Sequence, residues 1–259
     1  MTSAQIVKAS YANIYTEPSF SSEMVTQALF FESVDIISEH GNWFKISQWD
    51  SYEGYIHKFY LCQGEDKLED TVLLLDRLTP IYSSQDNQNI SMVAPFGSVI
   101  NYRQGTGGWA TINIESKSHF LKVPNNTTVV ASRDMVTEYC SRLIGSPYLW
   151  GGKTPFGYDC SGFVQAVYKA MDINLERDTS QQIKDTRAVS IDISDVKPGD
   201  LVFFDFEGNG VDHVGIWSGD DSVTHCGGHV KTQSIYDDST KKLIDYIIDI
   251  KSMEIHLNG

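Results

Sequence analysis

A short pattern that recurs after about 66 residues limits what the first half of this chain can become. Asn13-Ile14-Tyr15-Thr16-Glu17-Pro18-Ser19 returns as Thr79-Pro80-Ile81-Tyr82-Ser83-Ser84, and Gly41-Asn42-Trp43-Phe44-Lys45-Ile46 returns as Gly107-Gly108-Trp109-Ala110-Thr111-Ile112. Each copy is built from short β-branched and aromatic runs, such as Val34-Asp35-Ile36-Ile37, broken by polar turns like His40-Gly41-Asn42. The reading is two small all-β barrels in tandem, over residues 1–64 and 68–125. Gln63-Gly64-Glu65-Asp66-Lys67 marks their junction, and Pro124-Asn125-Asn126-Thr127-Thr128 marks the next boundary.

From about Ser132 the period changes. A helix is expected from Ser132, its cap, through Cys140, stopped by Gly145 and Pro147. Residues 160–171 form a second helical stretch with Phe163, Val164, Val167 and Met171 facing a core, and residues 179–183 a short third one. Strands follow at Leu201-Val202-Phe203-Phe204, Val214-Gly215-Ile216-Trp217 and Ser222-Val223-Thr224-His225. Helices first and an antiparallel sheet after them predict an α+β domain over residues 130–259.

The net charge of −14 argues against nucleic acid or an anionic membrane as partner, since both require a positive surface. No apolar run has the roughly 18–20 residues needed to span a bilayer. The start of the chain has neither a basic n-region nor a long apolar h-region. Cys62, Cys140, Cys160 and Cys226 do not form a disulfide framework in a chain of 259 residues. The cysteine usage and the start of the chain lead to an expectation of a cytoplasmic protein, with a mature fragment of an exported protein as the alternative; a monomer is expected as well.

Cys160 stands out among the thiols. A thiolate needs help, because free cysteine titrates near about 8.5. Helix N-termini and imidazolium groups supply that help. Gly157-Tyr158-Asp159-Cys160-Ser161-Gly162 puts Cys160 in the first turn of a helix, where unpaired N–H groups favour negative charge. A buried inert thiol is the bland alternative, and it suits Cys140 and Cys62 better. His213 opens one strand and His225 closes the next, the arrangement of a base and its orienting partner. Zinc competes for the same residues, through His225-Cys226-Gly227-Gly228-His229 with His213 and Cys160. Against it, no Cys-x-x-Cys pair exists, and His225 and Cys226 would point to opposite faces of a strand. No metal or other cofactor is expected.

Pro147-Tyr148-Leu149-Trp150-Gly151-Gly152, Tyr158-Asp159-Cys160-Ser161-Gly162-Phe163, Lys197-Pro198-Gly199-Asp200-Leu201-Val202-Phe203-Phe204 and His213-Val214-Gly215-Ile216-Trp217 resemble, in order and spacing, the NlpC/P60 cell-wall cysteine peptidases. The resemblance implies a papain-like C-terminal domain with Cys160 as nucleophile, His213 as base and His225 as third polar residue, preceded by two bacterial SH3-like barrels. Glu17-Pro18-Ser19, the Tyr52-Glu53-Gly54-Tyr55 turn and Arg177-Asp178-Thr179-Ser180-Gln181-Gln182 are similar to the branch that acts on γ-D-glutamyl-L-diamino acid bonds of murein peptides with a free N-terminal L-Ala. That likeness implies that Glu17, Tyr52 and Asp159 hold the substrate ammonium, that the first barrel gates the cleft, and that Trp150, Ser161 and Ser180 line it. The second barrel carries no chemical signature and reads as a spacer. Each residue also has a plainer reading: Glu17 as a solvated turn residue, Tyr52 as a surface aromatic, Asp159 as a helix N-cap and Trp150 as core. A broader wall hydrolase, or a thiol amidase or acyltransferase on the same fold, is the alternative activity.

Overall fold

Alternation of buried and solvated positions organises the first 128 residues. In Tyr11–Tyr15 the inward residues are Ala12 and Ile14, and in Trp109–Ile114 they are Ala110, Ile112 and Ile114. The computed structural model describes residues 5–64, 70–86, 89–124, 131–237 and 242–253. Two compact units divide it, Met1–Thr128 and Val129–Gly259.

The first unit holds two antiparallel sheets. One runs in the order Met24–Leu29, Tyr11–Tyr15, Glu53–His57, Trp43–Ser47, Ser33–His40, Gln5–Val7, Leu61–Gln63. The other runs Ile90–Pro95, Leu78–Tyr82, Lys117–Lys122, Trp109–Ile114, Val99–Gln104, Asp70–Leu73. Trp43 and Trp109 open equivalent strands, so the repeat read from the sequence is a repeat of structure. The two sheets are not independent, however. Ile6, Phe30 and Phe31 from the first half pack among Val72, Ile81, Ile100 and Ile112 of the second. That shared core joins the two sheets. Residues 65–67 of the expected junction and 125–128 of the expected boundary lie outside the described residues.

In the second unit, α1 (Arg133–Leu143) is capped by Ser132, whose Oγ accepts from Met135 N–H at 3.3 Å. Helix α2 (Cys160–Lys169) has every residue from Cys160 to Tyr168 buried, which fits its apolar sequence on all sides. A short α3 (Thr179–Gln182) follows. Five strands come next: β1 (Leu201–Phe204), β2 (His213–Gly219), β3 (Ser222–Gly227), β4 (His229–Ser234) and β5 (Ile247–Ser252). With Val189–Ser190 at one edge, the sheet order is Val189–Ser190, β5, β1, β2, β3, β4, antiparallel throughout. Helix α2 packs against β2 and β3. This is the α+β arrangement expected, and it brings the start of α2 to the start of β2.

Phe30→Ala deletes a fully buried ring between the two sheets of the first unit. It is expected to destabilise that unit by ~3–5 kcal/mol, measured as a lower urea midpoint of the full-length chain by circular dichroism. An unchanged midpoint would mean that the two sheets do not share their core.

Candidate active site

Cys160 is the first residue of α2, and the residue before it builds the helix end. Asp159 is the N-cap: its Oδ1 accepts from Gly162 N–H at 2.6 Å and its Oδ2 from Gly151 N–H at 2.9 Å. Arg177, 1% exposed, donates Nη1 to Oδ1 at 3.1 Å and Nη2 to Oδ2 at 2.6 Å. The same Nη1 reaches Ser161 Oγ at 2.9 Å. Gly162 lies so close to the preceding loop that a Cβ would stand 2.2 Å from Gly152 O. The Cys-Ser-Gly order therefore has a steric reason, since only glycine fits at the third place.

The thiol is 9% exposed. Its Sγ lies 3.7 Å from Thr179 Oγ1, and the backbone N–H groups of Val214 and Ser161 donate toward it. Val214 follows His213 on β2, so the Cys160 thiol sits at the start of the strand that carries His213. In this resting geometry the thiol's side-chain hydrogen bond goes to Thr179, not to His213. Burial, reinforced by the Asp159 carboxylate, pushes the Cys160 thiol up.

His213 Nε2 and His225 Nδ1 are 2.8 Å apart, with ring planes at 88°. His225 Nε2 lies 3.4 Å from Gln233 Oε1. Gly215 pairs directly with His225 across β2 and β3. A Cβ at 215 would stand 2.9 Å from His225 Cβ and 2.5 Å from Val223 Cγ1. Any side chain there would push the β3 ring away from its partner. Burial is the main reason that His213 is drawn down to about 3 and His225 to about 4, with the Lys231 cation adding to both. Tyr148, pushed up to about 12 by burial and then by Cys160, keeps its hydroxyl proton. Burial thus disfavours the charged form of the Cys160 thiol and of both imidazoles.

The NlpC/P60 family model matches residues 145–247, and the bacterial SH3 domain model matches residues 10–61. The chain carries an NlpC/P60 cysteine-peptidase domain and a bacterial SH3 domain. A relative named gamma-D-glutamyl-L-lysine dipeptidyl-peptidase, from Bacillus subtilis, is 29% identical over 77% of this chain and 71% of its own length. Dipeptidyl-peptidase 6 of Lysinibacillus sphaericus is 26% identical over 89% of this chain and 91% of its own. A crystal structure of an NlpC/P60 family protein from Bacillus cereus superposes with a TM-score of 0.83, covering 99% of this chain and 100% of that one at 19% identity, which establishes a shared fold.

Within the NlpC/P60 domain, the residues singled out from sequence separate into groups. Cys160, His213 and His225 are gathered at the starts of α2 and β2 and on the adjoining β3. Ser161 is buried, its hydroxyl donating to Asp159 Oδ1 at 3.4 Å while accepting from Arg177, so it supports the helix end. Asp159 is a helix cap whose oxygens accept from Arg177, Gly151 and Gly162. Trp150 is 61% exposed, which rules out the plainer reading of core packing. Ser180 is exposed on α3. His225 and Cys226 do point to opposite faces: Cys226 Sγ donates to Tyr158 O at 3.1 Å.

Glu17 and Tyr52 belong to the first unit. Glu17 is exposed in a turn where its carbonyl accepts from Ser19 N–H at 2.7 Å, and Tyr52 precedes the strand Glu53–His57. Tyr15 pairs with Tyr55 antiparallel, so both residues leave the same end of neighbouring strands. Sequence reasoning missed Arg177, Thr179, Gln233 and the steric role of Gly215. The run Arg177-Asp178-Thr179-Ser180 carried a signal, but spacing alone does not show which members turn toward Cys160.

Two outcomes follow from this geometry. Arg177→Met strands the Asp159 carboxylate in the interior and is expected to destabilise the second unit by ~3–5 kcal/mol. Adding Asp159→Asn should recover part of that loss in the urea midpoint. His225 takes up a proton below about 6.5 when unfolded but resists it until about 4 when folded. The unfolded state therefore binds more protons in that window, and stability falls as pH drops through it. His225→Asn should flatten this dependence in urea titrations at neutral and mildly acid pH; an unchanged slope would show that the ring titrates normally.

Proposed function

We propose that the chain hydrolyses the γ-D-glutamyl bond to a diamino acid in murein peptides that carry a free N-terminal L-Ala, through a thioester on Cys160. The observation that carries this reading is the thiol at the start of α2, receiving Val214 N–H beside a hydrogen-bonded His213–His225 pair. The names of the relatives, γ-D-glutamyl-L-lysine and dipeptidyl peptidases, support the substrate class.

The thiol leaves Thr179 and passes its proton to His213 Nδ1, while Nε2–H stays on His225. Sγ bonds to the γ-carbonyl carbon, and the negative oxygen draws on N–H groups at the start of α2. The His213 imidazolium then protonates the leaving amine as the C–N bond breaks. Water, losing a proton to His213, attacks the thioester and releases the γ-glutamyl carboxylate with the Cys160 thiol restored. Because burial holds thiol and imidazoles neutral at rest, charge separation is confined to the moment when substrate excludes water. Recognition of the free amine is assigned to Glu17, Tyr52 and Asp159. An ammonium taken from water requires charge-assisted acceptors.

L-Ala-γ-D-Glu-diaminopimelate and its lysine counterpart, each with free and acetylated N-termini, test the reading by product analysis. The free tripeptides are expected to be cut and the acetylated ones spared. Cys160→Ala should abolish turnover with the fold intact. Glu17→Gln should raise KM by roughly 10-fold or more with kcat held, because a hydrogen bond to a charged group is worth about 1.5–3 kcal/mol. Equal cleavage of blocked peptide removes the amine pocket alone, whereas activity in Cys160→Ala removes the mechanism.

A further inference from the structure

The hydrogen bonds around His225 leave one residue outside the mechanism just described. Gln233 lies on β4, two positions beyond Lys231, the residue paired with His225 across β3 and β4. Side chains two apart on a strand share a face, so Gln233 reaches His225 diagonally. Its Oε1 lies 3.4 Å from His225 Nε2. An amide oxygen only accepts, so the facing nitrogen must carry the hydrogen.

A neutral imidazole has one N–H, and the rest of the chain of bonds follows from that. With Nε2–H turned to Gln233, His225 Nδ1 is bare and can only accept. Its partner 2.8 Å away, His213 Nε2, must therefore donate. That leaves His213 Nδ1 as the basic nitrogen, the one able to take a proton from a thiol. Once His213 is charged, its Nε2–H still donates to His225 and no bond needs to reverse. Lys231 opposite His225, with His229 further along β4, opposes a second proton on His225.

We propose that Gln233 is a positioning residue of the active site: by accepting from His225 Nε2–H it sets the tautomer of both histidines and leaves His213 Nδ1 free for the Cys160 proton. The assignment rests on the thioester mechanism proposed above for its purpose, but the tautomers it specifies can be read without any substrate. The opposite orientation of the Gln233 amide would reverse every proton in the chain, and a spectroscopic experiment separates the two.

The test is long-range 1H–15N correlation of the imidazole rings in the full-length protein at neutral pH, with His213→Ala and His225→Ala variants to assign the signals. Both rings are expected as Nε2–H tautomers. Gln233→Leu should mix the tautomers of His225 and lower kcat on the free tripeptide by about 10-fold or more, a part of the roughly 10²–10⁴-fold that general acid–base catalysis contributes, with KM nearly unchanged. Gln233→Glu keeps an acceptor oxygen at the same reach and should restore both the tautomer and most of kcat. An Nδ1–H form of His225 in the wild type overturns the proposal. So does a Gln233→Leu variant with unchanged spectrum and turnover, or a Gln233→Glu variant as impaired as Gln233→Leu. If no tripeptide is cut by the wild type, the function falls while the tautomer assignment is still decided by the spectra.

Discussion

The buried pair between Asp159 and Arg177 holds the nucleophile's end of the second unit together. A carboxylate 8% exposed and a guanidinium 1% exposed are tolerable in a protein interior only because each satisfies the other with good geometry. The two Arg177–Asp159 bonds, with those from Gly151 and Gly162, tie three stretches to one point: the loop before α2, the first turn of α2 and the segment leading into α3. Cys160 comes directly after this knot. Thr179, its hydrogen-bond partner, comes two residues after Arg177. The same ion pair therefore sets both the position of the thiol and the hydroxyl against which it rests.

That arrangement has an electrostatic consequence. A carboxylate next to the nucleophile opposes thiolate formation, and Asp159 does push Cys160 up. Arg177 pairs with the carboxylate and moderates its field, while N–H groups of Ser161 and Val214 act in the opposite direction. The sum favours a neutral resting thiol. The sequence reading expected the helix end and a nearby imidazolium to favour the thiolate. Desolvation, which a local motif does not display, outweighs the helix end at Cys160.

What could be read from the sequence follows the range of the physics involved. Cys160 was legible because a cap, a nucleophile and an apolar helix are contiguous. His213 and His225 were legible because strand ends are marked by turns. The doubled β pattern was legible as a period, yet the core formed by Ile6, Phe30 and Phe31 with the second sheet was not, since a period carries no information about packing between repeats. The bond from Arg177 to Asp159 was not legible, because the two residues lie 18 apart along the chain. Gln233 looked like one polar residue in the strand His-Val-Lys-Thr-Gln-Ser, and only the register of β3 against β4 shows where it reaches.

Register is also why the histidine pair can be a property of the sheet rather than of flexible side chains. Side chains alternate along β3, with His225 toward His213 and Cys226 toward Tyr158. A slip of one residue would exchange them, leaving a thiol where an imidazole is needed and an imidazole in the apolar space that Cys226 fills. Gly215 opposes such a slip on the neighbouring strand, because the close approach of Val223 and His225 leaves room for no other residue at that pairing. The strand that presents His213 therefore gives up a side chain in its middle, and the space released is what allows two rings on adjacent strands to meet at hydrogen-bonding distance.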